Sequence, residues 1–118
     1  MSDLADLIRR ILAFRDERNW KQFHSPRNLA AAVAIESGEL QELMLWKTDE
    51  EVQELTSSPE GKQKIAAEIA DILIFSLLFC DAAAIDPEEA IRHKLSINAE
   101  KYPVNLARNN AKKYTDLK

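Results

Sequence analysis

The sequence has few of the residues that cross-link a chain or interrupt its secondary structure. Its 118 residues include one cysteine, two glycines and four prolines. The single cysteine, Cys80, cannot form an intramolecular disulfide, which excludes a disulfide-stabilised scaffold and fits a reducing, cytoplasmic environment. The shortage of glycine and proline argues against a protein of many short strands and turns, and it favours long helices.

Long apolar runs and concentrated positive charge are also missing. The longest apolar stretch covers residues 72–80, well short of the about 20 residues that span a bilayer, so we expect no membrane segment. The first ten residues lack the basic start and apolar block of a secretory signal. The net charge is −4 and the 16 lysines and arginines are spread along the chain, which argues against a nucleic-acid polymer as partner.

Apolar residues recur at intervals of three and four, which predicts amphipathic helices. Ser-Pro or Asp-Pro pairs precede three of these segments and are typical helix starts. The predicted helices cover about Ser2–Asn19, Pro26–Trp46, Glu60–Ala83 and Pro87 to just before Pro103, with a short helical turn opened by the capping-box sequence at Thr48–Glu51. The sequence therefore predicts an all-α, four-helix domain at residues 1–103 and a C-terminal tail at residues 104–118.

Two carboxylate pairs stand at the same spacing on the second and third long helices. Glu36 and Glu39 form one pair, and Glu68 and Asp71 form the other; residues three apart lie on one helix face. Residues 65–80 are apolar on almost every side, so we expect this helix to be buried. Buried carboxylates need partners, and an all-oxygen ligand set favours Mg²⁺, with Mn²⁺ as a substitute, over zinc or a di-iron centre that would require histidine or cysteine.

The segment between the first two helices is rich in groups that can bind a nucleotide. It offers rings for stacking and donors for base edges or phosphates: Trp20, Lys21, Gln22, Phe23, His24, Arg27 and Asn28. Trp46 and Lys47 have similar chemistry, although each aromatic residue taken alone is more simply a core residue. On the fourth helix, Lys94, Asn98 and Lys101 form a polar stripe beside Tyr102, which is either a solvated face or a phosphate-binding surface.

These motifs together resemble the MazG-like, all-α nucleotide pyrophosphohydrolase superfamily, and most closely its dCTP pyrophosphatase branch. The resemblance covers about residues 4–105 and rests on ExxE, ExxD, WKQFHxPRNL and KxxxNxxKYP. It implies Mg²⁺-dependent hydrolysis of a nucleoside triphosphate to the monophosphate and pyrophosphate. It also implies dimers or dimers of dimers, whose active sites draw on neighbouring subunits.

The resemblance implies a role for each matched residue. The metal ligands would be Glu36, Glu39, Glu68 and Asp71. Our own hypothesis is that one of Glu36 and Glu39 activates the attacking water, and the sequence does not decide which. Trp20 to His24 and Trp46 would line the base and sugar pocket, and phosphates would be bound by Lys94, Asn98, Lys101 and Tyr102. Ile11 and Phe75 stand where the dCTP-specific relatives have histidine and tyrosine, so we expect a different base or sugar preference.

Two other functions are compatible with the same residues. One is a nucleotide-binding module that has lost catalysis, although all four acidic positions are filled. The other is a structural helical oligomer in which the acidic pairs meet basic groups across an interface. Whatever the function, the apolar surface of the third long helix exceeds what a small monomer can cover, which predicts a dimer that buries this helix.

Overall fold

The computed structural model describes residues 3–117, and these residues form helices and connecting segments with no strand. The α-helices are α1 (Leu4–Glu17), α2 (Pro26–Glu42), α3 (Asp49–Ser57), α4 (Pro59–Ala82), α5 (Pro87–Lys101) and α6 (Val104–Ala107). Two 3-10 turns cover Lys21–Phe23 and Tyr114–Asp116. The all-α prediction is confirmed, while the predicted helix start at Ser2 lies outside the described residues.

The predicted helix starts are present with their capping hydrogen bonds. The Ser25 hydroxyl accepts a hydrogen bond from the backbone N–H of Asn28, and Asp86 accepts from the first turn of α5. The Thr48 and Glu51 side chains exchange bonds with each other's backbone N–H groups in a complete capping box, and the short helix that follows has nine residues. Local chemistry therefore determined where these helices begin.

Helix α2 ends at Glu42, so the prediction that it continues to Trp46 is wrong. The N–H groups of Leu43 and Met44 donate to carbonyls three residues earlier, which tightens the chain out of α-helical geometry. Trp46 then adopts a left-handed backbone conformation with φ of 64°. This turn redirects the chain into the N-cap of α3 and leaves the Trp46 side chain 92% exposed.

One compact unit extends to Ala84, and α4 is its central element. Helices α1, α2 and α3 all pack against α4. A side chain at Gly61 would overlap the carbonyl oxygen of Leu55, so glycine permits the close corner between α3 and α4. At the other end of α4, the buried guanidinium of Arg15 donates to Asp81 at 2.8 Å and joins α1 to α4.

The apolar core of this unit is small. Leu29 and Leu78 are the buried hydrophobic residues in the described part of the chain. On α4, Ile69 is 40% exposed and Leu73 is 57% exposed, and the Asp71 side chain is also exposed. The three packed helices therefore leave one face of α4 open in a single chain, and burial of residues 65–80 on every side stays a prediction that requires a second copy.

The second compact unit begins at Ile85 and contains α5 and α6. The rings of Tyr102 and Tyr114 meet edge to face with their centroids 6.0 Å apart, and the Lys101 ammonium lies 4.6 Å from the centre of the Tyr114 ring. Residues 104–117 thus include a short helix and a turn that packs on the end of α5. A domain boundary at residue 103 stays a prediction from the sequence.

None of the helices between residues 3 and 117 combines the length and the hydropathy that a membrane crossing requires.

Candidate functional site

Three glutamates from two helices converge where α2 packs along α4. One carboxylate oxygen from each of Glu36, Glu39 and Glu68 lies within 4.8 Å of the other two. The three-residue spacing places Glu36 and Glu39 one turn apart on the same face of α2, and Glu68 meets them from α4. We call these three residues the acidic cluster.

Two oxygens of the acidic cluster are buried without a hydrogen-bond partner among the described residues, namely Oε2 of Glu36 and Oε2 of Glu68. None of the ion pairs within residues 3–117 involves the acidic cluster. Buried carboxylate oxygens ordinarily accept hydrogen bonds or contact cations. Because hard divalent cations prefer carboxylate oxygens, the cluster fits a metal such as Mg²⁺.

Two members of the acidic cluster, Glu36 and Glu68, have a raised pKa. The pKa of Glu36 is raised to about 7. The main cause is the hydrogen bond that a protonated Glu36 shares with Glu39; burial and the negative charges of Glu39, Asp71 and Glu68 add to it. The pKa of Glu68 is raised chiefly by burial and then by Glu39. Such concentrated charge without a counterion is typical of functional sites.

Asp71 stands beside the acidic cluster rather than inside it. It follows Glu68 by three residues on the same face of α4, and its charge contributes to the raised pKa of both Glu36 and Glu68. It is not among the three residues whose oxygens converge. The side chain of Asp71 instead lines the adjoining cavity. A direct metal contact by Asp71 stays a prediction.

A cavity of about 600 Å³ opens beside Asp71, between α1 and α4, and its size is that of a small-molecule site. The lining residues are Leu7, Arg10, Ile11, Phe14, Arg15, Trp20, His24, Asp71, Ile74, Phe75 and Leu78. Most of them are apolar. Since Asp71 belongs to this wall, the cavity adjoins the acidic cluster.

Three of the predicted substrate-binding residues line this cavity: Trp20, His24 and Phe75. The Trp20 ring meets the Phe14 ring edge to face, with centroids 5.9 Å apart. The Arg18 guanidinium lies over the Phe14 ring, 3.6 Å from its centroid. Asn19 precedes Trp20 with φ of 54°, a left-handed conformation that asparagine tolerates. The Nδ1 atom of His24 is buried and has no hydrogen-bond partner in the described chain.

Other predicted residues of the same segment shape the loop. The Gln22 amide donates to the Asn19 carbonyl at 3.0 Å, and the Asn28 amide donates to the Phe23 carbonyl at 3.1 Å. These bonds hold the turn that presents Trp20 and His24. The structure places Lys21, Phe23 and Arg27 of this segment on the exposed surface and outside the cavity wall, and the same holds for Trp46 after α2.

The predicted phosphate-binding residues belong to the second compact unit. Lys94, Asn98 and Lys101 lie on α5, and Tyr102 follows directly after it. Lys101 and Tyr102 both contact the Tyr114 ring. Their role toward phosphates stays a prediction.

Of the α1 residues in the cavity wall, sequence reasoning named Ile11 and missed Leu7, Arg10, Phe14 and Arg15. Arg15 is only 5% exposed, and its Nε donates to Asp16 while Nη1 donates to Asp81, both at 2.8 Å. A signal for Arg15 was present, because it stands four residues after Ile11 on the apolar stripe of α1. A charged residue in that register indicates a buried ion pair.

The fold and the site define an all-α protein with a carboxylate cluster beside an apolar cavity, and comparison with known proteins agrees. A model of the MazG-like family matches residues 31–117. The dCTP pyrophosphatase 1 of Bos taurus is 42% identical over 97% of this chain and 68% of its own length. The human dCTP pyrophosphatase 1 is 40% identical over 97% of this chain and 67% of its own length.

A solved structure has the same fold. A pyrophosphatase from Archaeoglobus fulgidus superposes with a TM-score of 0.79 and 38% identity, covering 87% of this chain and 94% of its own. The chain belongs to the MazG-like family. This confirms the resemblance drawn from the acidic pairs and the aromatic segment, including its nearness to the dCTP pyrophosphatases.

Proposed function

We propose that this chain is a nucleoside triphosphate pyrophosphohydrolase that acts in nucleotide-pool sanitation. It cleaves a (deoxy)nucleoside triphosphate, with dCTP or a modified nucleotide as the first candidates, to the monophosphate and pyrophosphate. The observation that carries this proposal is the acidic cluster, with its two unpartnered buried oxygens, beside an apolar cavity. The pyrophosphatase names of the relatives support it.

The acidic cluster would hold Mg²⁺, or Mn²⁺ in its place, with Asp71 as a further ligand. A divalent cation held there would neutralise charge on the phosphates and make the attacking water more acidic. Glu36 or Glu39 accepts the proton of the attacking water. Trp20, His24 and Phe75 surround the base and exclude water from it.

The proposed reaction is tested by its products. The protein with Mg²⁺ and a panel of canonical and modified nucleoside triphosphates should release pyrophosphate and monophosphate in equal amounts. Chelation of the metal should stop the reaction and added Mg²⁺ should restore it, because the unpaired carboxylates cannot bind a polyphosphate alone. Orthophosphate as the sole product would contradict the cleavage position, and no product from any triphosphate would contradict the function.

We also propose that a second copy of the chain covers the open face of α4, where Ile69 and Leu73 are exposed. Light scattering should therefore give at least twice the 13.4 kDa of one chain. Leu73→Glu should lower that mass because a charge would be buried in the interface, while Leu73→Met should keep it. A single-chain mass for the unmodified protein would refute this.

A cytoplasmic location stays a prediction from the single cysteine.

A further inference from the structure

The end of α1 carries a buried ion pair that the proposed reaction does not use. The Arg15 guanidinium is part of the cavity wall, where its Nε donates to Asp16 and its Nη1 donates to Asp81, each at 2.8 Å. Asp16 is the next residue on α1, whereas Asp81 lies near the end of α4. The bond to Asp81 therefore joins the two helices that form the cavity, and the bond to Asp16 does not.

The backbone of Arg15 fixes the position of Trp20. After α1 ends, the N–H of Trp20 donates to the Arg15 carbonyl at 3.1 Å. The N–H of Asn19 donates to the Asp16 carbonyl at 3.1 Å, and Asn19 has the left-handed conformation that completes a Schellman motif. The ring contact between Trp20 and Phe14 is the apolar contact that commonly accompanies this motif. Trp20 is thus attached to the last turns of α1 and moves with them.

The apolar packing between α1 and α4 is limited. Helix α1 packs against α4 much less extensively than α2 does. Leu7, Phe14 and Trp20 are exposed although all three line the cavity, whereas Arg15 is buried. Because apolar contacts cover so little of α1, the polar link from Arg15 to Asp81 determines how closely the end of α1 approaches α4.

We propose that Arg15 and Asp81 are positioning residues, whose ion pair holds the end of α1 against α4 and thereby keeps Trp20 in the cavity wall. This inference rests on the proposed function, in which Trp20 is one of the residues around the base. Without the pair, Trp20 withdraws together with α1, while the acidic cluster on α2 and α4 is unchanged. Loss of the pair therefore weakens nucleotide binding and leaves the chemical step intact.

Three substitutions separate the link between the helices from the charge balance of Arg15. Asp81→Ala removes the acceptor on α4, and Asp81 itself does not line the cavity. Asp81→Asn keeps an oxygen that can accept from Nη1. Asp16→Ala is the matched control, because it removes an equally short bond to the same guanidinium without releasing α1 from α4. Arg15 is not replaced by alanine, since the loss of its side chain would also leave a cavity.

Tryptophan fluorescence measures the position of Trp20 without any nucleotide. In a Trp46→Phe background, Trp20 is the only tryptophan of the chain. Asp81→Ala should shift its emission to longer wavelength and increase its quenching by acrylamide, because the ring leaves the cavity wall. Asp81→Asn and Asp16→Ala should change neither. An unshifted spectrum in folded Asp81→Ala, or an equal shift in Asp16→Ala, would overturn the inference.

A double variant keeps this test valid if Asp81→Ala does not fold. Arg15→Met combined with Asp81→Ala leaves no buried unpaired charge, which is the main cause of instability when one partner of a buried pair is removed. The double variant should show the same shift of Trp20 emission, because the link between the helices is again absent. An unshifted spectrum in the double variant would also overturn the inference.

Steady-state kinetics with dCTP and Mg²⁺ test the consequence for the nucleotide. Loss of the contact between one base and an aromatic side chain weakens binding by about 5–150-fold. Asp81→Ala should therefore raise KM by about fivefold or more and keep kcat within about threefold of the original. Asp81→Asn and Asp16→Ala should keep both values. A lower kcat at an unchanged KM would overturn the inference, because the pair would then act on the chemical step.

Product binding separates this inference from the proposed reaction. In calorimetric titrations of the metal-free protein, dCMP should bind Asp81→Ala about fivefold or more weakly than it binds Asp16→Ala. This difference, with the shift of Trp20 emission, would uphold the positioning role even in a protein that hydrolyses no triphosphate. Hydrolysis with an unchanged KM in Asp81→Ala would leave the proposed reaction standing and overturn the positioning role.

Discussion

Glu39→Gln is expected to abolish pyrophosphate release while the helical fold remains intact. Glu39 raises the pKa of both Glu36 and Glu68 through hydrogen bonding and charge, which identifies it as the central member of the acidic cluster. Its side chain belongs to an exposed residue, so the neutral amide can replace it without a packing defect. The loss of a metal ligand or of the group that takes up the water proton should lower kcat by at least about 10²–10⁴-fold.

The measurement is the rate of pyrophosphate release with saturating Mg²⁺ and nucleotide, together with circular dichroism of the variant. Glu42→Gln is the matched control, because Glu42 is an exposed glutamate three residues further along α2 and lies outside the acidic cluster. It should keep the activity of the unmodified protein. Unchanged turnover in Glu39→Gln would contradict the assignment of the acidic cluster as the metal site.

The elements that local chemistry specifies were predictable from the sequence. Ser25, Thr48 and Asp86 each begin a helix where a capping side chain accepts a backbone N–H. The spacing of Glu36 and Glu39 places both carboxylates on one helix face whatever the tertiary structure is. Once α2 packs along α4, Glu68 joins them. Half of the candidate site therefore follows from helix geometry alone.

The features that depend on packing were not predictable in the same way. The apolar pattern of residues 65–80 says that the surface avoids water, but it does not say whether the same chain or a second copy covers it. After α2 ends, Trp46 adopts a left-handed backbone conformation that no residue preference required. Arg15 is held in the cavity wall by its ion pair with Asp81. The two residues are 66 positions apart in sequence and meet only in the folded chain.

In the absence of metal, Glu36→Gln is expected to raise the melting temperature at pH 8 and to remove the stabilisation by Mg²⁺. The pKa of Glu36 is about 7 in the folded chain against an ordinary value of 4.5. The folded state therefore holds the proton more tightly than the unfolded state, and the free energy of unfolding falls as the pH rises from 4.5 to 7. At pH 8 the unmodified, metal-free protein bears the full repulsion, whereas a neutral glutamine does not.

Thermal melts in a chelator at pH 5 and pH 8, and at pH 8 with millimolar Mg²⁺, check both consequences. The unmodified protein should melt lower at pH 8 than at pH 5, and Mg²⁺ should raise its melting temperature because the ion binds the folded state only. Glu36→Gln should melt higher than the unmodified protein at pH 8 in chelator and respond weakly to Mg²⁺, while Glu42→Gln should respond fully. An equal Mg²⁺ response in all three proteins would mean that the ion binds elsewhere. A lower melting temperature for Glu36→Gln in chelator at pH 8 would mean that the cluster stabilises the fold through the Glu36 carboxylate, as the structural-oligomer hypothesis requires.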